Sequence, residues 1–593
     1  MPQTTLSDKA LDHPASARWS LAARRRLVLC LNLVSILGLF LAMARIMAYG
    51  GVTPIEGAML VAYALTLPWL TIGFWNAVIG LILTRVYSDP AAIVTPQLAQ
   101  TDDDAPITSR TAIVMAIRNE NPDDSLGRLE AMARDLGRSR YAEQFEYHVL
   151  SDTTRADIAL EEERFVAQWR ARARGAKIHY RRRLTNEGYK AGNVAEFLAR
   201  CHQDYDFYLP LDADSLMGAS AVERLVRVMQ SDPKLGILQG LVVGTPSQTF
   251  FTRAFQFGMR NGMRSFTLGS AWWQGDCGPY WGHNALIRAS AFHEYCQLPE
   301  ISGRGALSGY ILSHDQVEAV LMRRAGYECR VLAAEQESYE DNPPSMPDFI
   351  KRELRWCNGN LQYLRLGGLQ GLKPLSRVQL WLAILMYVSP MAWIVFIALG
   401  ASLAAGPQLE AVPAGIGLAL FAVVMFFNLT PKIMGLAQIL ADHHESGRYG
   451  GRIRVLVGGV TELLLSVLTA PVVAFGITLF GIGLLFGQRI SWSSQQRDPR
   501  RLLWREALAA LWPQTLLGIG LAIYLANVAP WTLLFAAPVI GSLCLAIPVA
   551  VITTLPGLGR WSRRVGLFDI PEDRQAHLDG ERSILPNVLQ TTP

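Results

Sequence analysis

"TAIVMAI" at residues 111–117, followed by "SLGRLEAMARDL" at 125–136, reads as a strand and then a helix: a short β-rich run, apolar after its first Thr, then apolar positions recurring at helical spacing. The unit repeats. EYHVLS (146–151) precedes a charged helix from Ile158 to Arg174, KIHYR (177–181) a helix from Asn193, and FYLPLD (207–212) a helix from Ala221, with GILQGLVV (236–243) as a further strand. Such alternation predicts a parallel α/β sheet. Ligands of these sheets bind beyond the carboxyl ends of the strands.

Outward from this domain the chain turns apolar. Of its 593 residues half are hydrophobic and only 18% charged. Leu27 to Ala48, Ala58 to Leu83, Val378 to Ala405, Val412 to Ile433, Leu511 to Val528 and Trp531 to Val551 are each long enough for a helix across a hydrocarbon core of about 30 Å. Ile453 to Gly487 is nearly long enough for two crossings. Folded as a hairpin breaking near Ala470-Pro471, it brings the expected total to about eight spans; the competing form is a surface helix from Arg452 to Leu468 followed by one span or a re-entrant pair. The expected organisation is a short cytoplasmic N-terminus (1–26), spans 1 and 2 (27–90), a cytoplasmic domain ending in interfacial helices (91–375), spans 3 to 8 with a cytoplasmic loop (376–555, loop 488–510) and a cytoplasmic tail (556–593). Basic residues set this orientation: connections 50–57, 406–411 and 529–530 contain no Lys or Arg, whereas Arg24 to Arg26, the loop with Arg448, Arg452 and Arg454, and the loop from Arg489 to Arg505 are basic.

The first apolar run is too long for a secretory signal and carries Arg45, so it reads as an anchor. The net charge of +5 lies in membrane-flanking loops and suits lipid headgroups rather than nucleic acid. Seven cysteines without a C-x-x-C spacing fit a reduced domain without structural zinc. DHHE (442–445) lacks the i, i+4 spacing of a zinc pair and reads as solvated.

Candidate chemistry gathers at the strand ends. Asn119 and Glu120 follow the first strand, Asp152 the second, and Asp212-Ala213-Asp214 the fourth. Two carboxylates one residue apart can reach a hard divalent cation, although an isolated D-x-D is more simply a turn. EGYKAGNV (187–194) places Lys190 between glycines at a helix start, suited to phosphate. No G-x-x-x-x-G-K-[ST] is present, and the glycines of GIGLLFG (481–487) sit in an apolar span, where they serve helix packing. CGPYWGHNALIR (277–288), with Trp272 and Trp273 before it, offers Trp281, His283 and Asn284 as a surface for sugar rings and hydroxyls; core or interface anchoring is the equal alternative for each Trp. Asp315 opens a helix, as a helix-dipole charge or as a general base. KRELRWCNGNLQYL (351–364) is an amphipathic helix upstream of the third span and carries Arg355 and Trp356.

Taken in order, Asn119-Glu120, Asp152, Lys190-x-Gly192-Asn193, Asp212-x-Asp214, His314-Asp315 and Arg355-Trp356 resemble the processive family-two glycosyltransferases that include cellulose synthase. SDTTRADIALEEE, CGPYWGHNALIR, HDQVEAVLMRRAG, RELRWCNGNLQYLRL and SWSSQQRD are similar to the branch that makes osmoregulated periplasmic glucans. The resemblance implies a polytopic helical protein of the bacterial inner membrane with a cytoplasmic glycosyltransferase-A domain between spans 2 and 3. It implies inverting, processive transfer of glucose from UDP-glucose onto a β-1,2-glucan that passes to the periplasm, with Mg²⁺ (or Mn²⁺) as cofactor. The implied partners are the growing glucan chain, membrane lipids and periplasmic glucan-processing proteins, with no nucleic acid.

Carried over residue by residue, Asn119, Glu120, Asp152, Lys190, Asp212 and Arg355 bind the donor nucleotide, with Asp152 at the uracil and Lys190 and Arg355 at the diphosphate. Asp212 and Asp214 hold the metal, Asp315 deprotonates the acceptor hydroxyl, and Trp356, with Trp281, His283 and Asn284, binds the acceptor. Cellulose synthases begin the last motif with Gln where Arg352 stands here, and an arginine accepts no hydrogen bond. The loop ISWSSQQRD (490–498) is a candidate lid. A β-1,4-glucan or other polysaccharide synthase, or a glucan transporter with an inactive domain, are the alternatives that the same motifs leave open.

Overall fold

The computed structural model describes residues 19–578 apart from 50, 174, 405, 407–413 and 489–498. Two long helices come first, α1 (Leu21–Met47) and α2 (Pro54–Val86). The α/β domain then follows as β1 (Thr111–Ile117), α3 (Pro122–Leu136), β2 (Phe145–Ser151), α4 (Ala156–Arg172), β3 (Lys177–Arg182), α5 (Tyr189–Cys201), β4 (Phe207–Leu211), β5 (Leu216–Met217), α6 (Ala219–Ser231), β6 (Leu235–Gly240) and β7 (Val243–Gly244). The strand and helix pattern of the sequence is realised except in GILQGLVV (236–243), expected as one strand, which divides into β6 and β7 in two different sheets. In β1 the side chains alternate between two cores: Ile113, Met115 and Ile117 join Leu129, Met132 and Trp169 on one face, while Ala112 and Val114 join Phe197, Tyr208 and Val320 on the other. Both faces are covered by helices, which is why the strands read as unbroken apolar runs.

The main sheet has seven strands in the order β3-β2-β1-β4-β8-β6-β9, where β8 is Ala285–Arg288 and β9 is Glu328–Leu332. Parallel pairing holds for β3, β2, β1 and β4 and for β6 with β9. The all-parallel expectation is corrected at β8, which runs antiparallel to both β4 and β6. Its first residue, Ala285, pairs with Gln239 at the carboxyl end of β6, so β8 starts at that edge and runs back without the crossover that a parallel strand needs. A second, three-stranded sheet joins β5, β10 (Ser338–Glu340) and β7.

Two amphipathic helices lie between the domain and the apolar bundle. The first, α7 (Phe250–Gln274), packs on α2 so closely that a Cβ at Gly269 would lie 1.8 Å from the Asn76 carbonyl oxygen. Trp273 donates from Nε1 to Asn76 Oδ1 at 2.9 Å and Trp272 stacks under Arg24, so both tryptophans belong to this junction. After α8 (Asp315–Arg324), the second amphipathic helix is α9 (Met346–Leu361), which packs on α10 (Pro374–Leu403) and α12 (Arg452–Leu485).

The span count is corrected. Among the described residues six helices are long and apolar enough to cross a membrane: α1, α2, α10, α11 (Ala414–Ala441), α12 and α13 (Trp504–Val528). A bent pair, α14 (Leu533–Cys544) and α15 (Ala546–Ile552), brings the total to seven if it counts as one span. The hairpin expected over 453–487 does not form: α12 is one helix that continues through Pro471. Proline lacks the N–H that would bond within the helix, but here Val472 on its flank is fully buried against the neighbouring core, and packing holds the helix through the lost bond. Beyond the bundle, α16 (Pro556–Val565) and α17 (Pro571–Leu578) return to the domain, where Arg253 of α7 donates to the Leu567 carbonyl and to Asp569, both at 2.9 Å.

Candidate active site

β4 delivers Asp212 and Asp214 to the carboxyl edge of the sheet through a tight turn. The Ser215 amide donates to the Asp212 carbonyl and the Asp212 amide to Ser215 Oγ, both at 3.0 Å. The turn reading of D-x-D is thus realised. From behind, Arg128 donates to the Asp214 carbonyl at 2.7 Å and to Asp341 at 2.6 Å. Lys190 forms an ion pair with Asp212 and donates to the Gly282 carbonyl at 2.9 Å. Its loop is shaped by glycine: Gly188 has φ +68°, and a Cβ at Gly192 would sit 2.0 Å from the Glu187 carbonyl oxygen.

Asp152 anchors the neighbouring loops. Its carboxylate receives Arg183 Nε and Nη2, each at 2.8 Å, and Asn193 Nδ2 at 2.8 Å. Arg183 also donates to the carbonyls of Glu187 and Tyr189 at 3.0 Å, tying Asp152 to the loop that carries Lys190. Asn119, at φ +59°, joins the loops after β1 and β2: its Oδ1 accepts the amides of Thr154 and Arg155 at 3.0 Å. Glu120 accepts the Arg118 amide beside it.

The 277–288 stretch divides. Gly282 (φ +87°) meets Asp315, with an added Cβ 3.6 Å from Asp315 Cβ. His283 Nε2 lies 3.3 Å from Glu340 Oε2. Asn284, expected to bind acceptor, is corrected: it is 0% exposed, and its amide donates to Ser338 Oγ at 2.9 Å as part of the sheet junction. Trp281 packs against the apolar cluster that joins the domain to α2 and α10. Burial, helped by Glu318, raises the Asp315 carboxyl above its usual range against the pull of His314 and Lys190.

α9 forms the membrane-side wall. Arg355 is buried, while Trp356 is 44% exposed, with the Arg352 guanidinium 4.7 Å from its ring centroid. The helix end also holds the loop before Asp315: Gln362 Oε1 accepts the Leu312 amide at 2.8 Å and Tyr363 donates to the Ser313 carbonyl at 2.6 Å. Thus Lys190, Asp212, Asp214, His283 and Asp315 share one cleft floored by Gly282. The lid expected over 490–498 lies outside the described residues.

Asp212 and Asp214 offer only carboxylate oxygens, a donor set that suits a hard divalent ion. Lys190 is a cation paired with Asp212. Glu146, His148 and His179 also bring ligand atoms within 4.8 Å of one another, but toward the amino ends of β2 and β3, on the edge away from this cleft. There, against the effect of burial, hydrogen bonds from Lys177, Tyr205 and Arg110 hold the Glu146 carboxyl at about 2, and the two imidazoles stack face to face at 4.4 Å. Sequence reasoning missed Arg128, Arg183, Glu340 and Asp341. Only Arg183, within a basic run just before the EGYKAGNV loop, carried a signal that placed it nearby.

Residues 112–296 match Glycosyl transferase family 2, and residues 209–430 match Glycosyl transferase family group 2. The chain is 35% identical over 560 residues to a glucans biosynthesis glucosyltransferase H of Vibrio cholerae serotype O1, covering 91% of this chain and 76% of that protein. With the protein of the same name in Xanthomonas campestris pv. campestris it shares 33% identity over 594 residues, covering 97% of this chain and 91% of that one. Among solved structures, a mannosyltransferase of Pyrobaculum calidifontis in complex with GDP-Man and Mn²⁺ overlays with a TM-score of 0.37 at 14% identity, covering 61% of this chain and 98% of that one.

Proposed function

The chain belongs to the glucans biosynthesis glucosyltransferase H family, and from that premise we propose that it polymerises glucose from UDP-glucose into a β-1,2-linked glucan and passes the product across the bacterial inner membrane. That it is a glucan-synthesising glycosyltransferase follows from the family; the donor, the linkage and the export are our reading. The observation that carries it is the meeting of Asp212, Lys190 and Asp315 around Gly282, because one displacement at a sugar carbon needs charge stabilisation on one side and a base on the other.

In this reading the terminal hydroxyl oxygen of the glucan attacks C1 of the donor glucose and the bond from C1 to the diphosphate oxygen breaks. Asp315 takes the hydroxyl proton, and UDP leaves with the bonding pair. Asp212 and Asp214 would hold a divalent ion, Mg²⁺ or Mn²⁺, which when bound offsets the charge of the departing diphosphate. Lys190 and Arg355 bind the same anion, and Asp152, through Arg183, keeps the loop of Lys190 in place. Trp356 stacks on the acceptor sugar. The domain lies in the cytoplasm, where UDP-glucose is made, and the bundle receives the polymer; periplasmic proteins that process glucan act after release.

The test is incorporation of labelled glucose from UDP-glucose by the purified protein in lipid nanodiscs, with Mg²⁺ or EDTA, followed by linkage analysis. Metal-dependent β-1,2 polymer, lost in Asp214→Ala, is the expected result. A β-1,4 polymer would change the assignment of product, and no polymer from any sugar nucleotide would remove it.

A further inference from the structure

β10 pairs antiparallel with β5 in the register Ser338 to Met217 and Tyr339 to Leu216. Continued by one residue, this register brings Glu340 level with Ser215, directly after Asp214. The neighbouring Asp341 cannot move away from the D-x-D turn, since Arg128 holds both and Thr245 Oγ1 donates to the same carboxylate. Glu340 is therefore fixed beside the two aspartates, although the sequence separates them by more than a hundred residues.

Its surroundings differ from those of the structural carboxylates of the domain. Glu146 receives Arg110, Lys177 and Tyr205; Asp152 receives Arg183 twice and Asn193; Glu335 receives Arg260 and Arg448. Among the described residues the Glu340 carboxylate has one partner, His283 Nε2 at 3.3 Å, and its side chain remains 27% exposed. Arg352 acts on it from the wall that carries Trp356, and Asp214 and Asp212 from the turn, in keeping with a place between the two. A carboxylate with accepting capacity left over, together with the exposed indole on the helix of Arg352, matches the groups that bind hexoses: lone pairs for hydroxyls and an apolar face for the ring.

We propose that Glu340, oriented by His283, binds the acceptor sugar: its carboxylate accepts hydrogen bonds from ring hydroxyls of the terminal hexose of the glucan, between the D-x-D turn and Trp356, and so selects which hydroxyl meets the donor. The inference rests on the reading of this cleft as a site of glucosyl transfer and adds a residue that determines acceptor specificity. His283 acts through Glu340 and is a positioning residue.

The experiment uses the full chain in nanodiscs with UDP-glucose, Mn²⁺ and a labelled β-1,2-linked glucotriose as acceptor, with UDP binding as the check on folding. Loss of one hydrogen bond to a charged acceptor predicts that Glu340→Gln raises the acceptor KM by about tenfold or more, while the KM for UDP-glucose moves less than about twofold. Glu340→Asp, which keeps the charge and serves if the glutamine variant does not fold, recovers part of that loss and gives a mixed linkage. An unchanged acceptor KM in both variants overturns the inference, as does an equal rise in the KM for UDP-glucose or in the Mn²⁺ requirement, which would make Glu340 a donor or metal residue. A wild-type protein that transfers no glucose overturns the functional reading and this inference with it; an active wild type with an unaffected acceptor KM in the variants overturns this inference alone.

Discussion

Lys190 and Asp212 are ion-paired across the cleft, and the same ammonium donates to the Gly282 carbonyl at 2.9 Å, so the loop after β3, the turn after β4 and the 277–288 stretch meet at one cation. A divalent ion held by Asp212, as proposed, would compete with that ammonium for the same carboxylate.

Lys190→Met should therefore bind Mn²⁺ more tightly in the absence of nucleotide while losing turnover. A part-exposed ion pair is worth up to about 1 kcal/mol, or about fivefold in affinity. Electron paramagnetic resonance titration reads the free Mn²⁺, and equal affinities in the two proteins would remove Lys190 as the competitor.

Asp315→Asn should lower turnover by about 10² to 10⁴-fold, the usual worth of a positioned base, with UDP binding retained. Because burial raises the Asp315 carboxyl and the base must be ionised, activity should fall on acidification through a limb above the ordinary carboxylate range. An acid limb at ordinary carboxylate pH, or none, would point to a different base.

Arg183→Met leaves Asp152 buried (5% exposed) with two of its hydrogen bonds gone. Breaking a buried pair on one side costs about 3 to 5 kcal/mol. The expected outcome is a lower melting temperature together with loss of UDP binding, and restored binding in a variant that also carries Asp152→Asn would trace the defect to the stranded charge.

Arg253→Ala should release the C-terminal segment, since this one side chain holds the Leu567 carbonyl, Asp569 and Asp573. Limited proteolysis should then cut between α16 and α17 while the α/β domain stays resistant. Unchanged resistance of that segment would show that Phe568, packed against Phe250 and Phe257, is sufficient to dock it.

Arg25 pairs with Asp276, and Arg253 with Asp569, so both ends of the described chain lie on the domain's side of the bundle. A cysteine in place of Val52, exposed between α1 and α2, should react with an impermeant maleimide from the side opposite the domain, and a reporter after Leu578 should sit on the domain's side. Labelling of that cysteine from the domain's side would require a different path for the bundle.

Local residue patterns were enough to set the elements and the kinds of groups at their ends. An unbroken β-prone run followed by a helical pattern placed β1 at 111–117, where it is found, and Asp212, Asp214, Lys190 and Asp315 were legible because each stands where a strand ends or a helix begins. Those signals are local: a strand or a helix start is encoded within about ten neighbouring residues. Tertiary structure alone decided that β8 runs backwards, that α12 continues through Pro471, that Asn284 is buried in the sheet, and that Glu340, Asp341 and Arg128 surround the D-x-D turn. Each of these depends on which distant segment supplies a hydrogen-bond partner or covers an apolar face. Strand register and burial set that choice across long sequence separations, and no local pattern of residues encodes it.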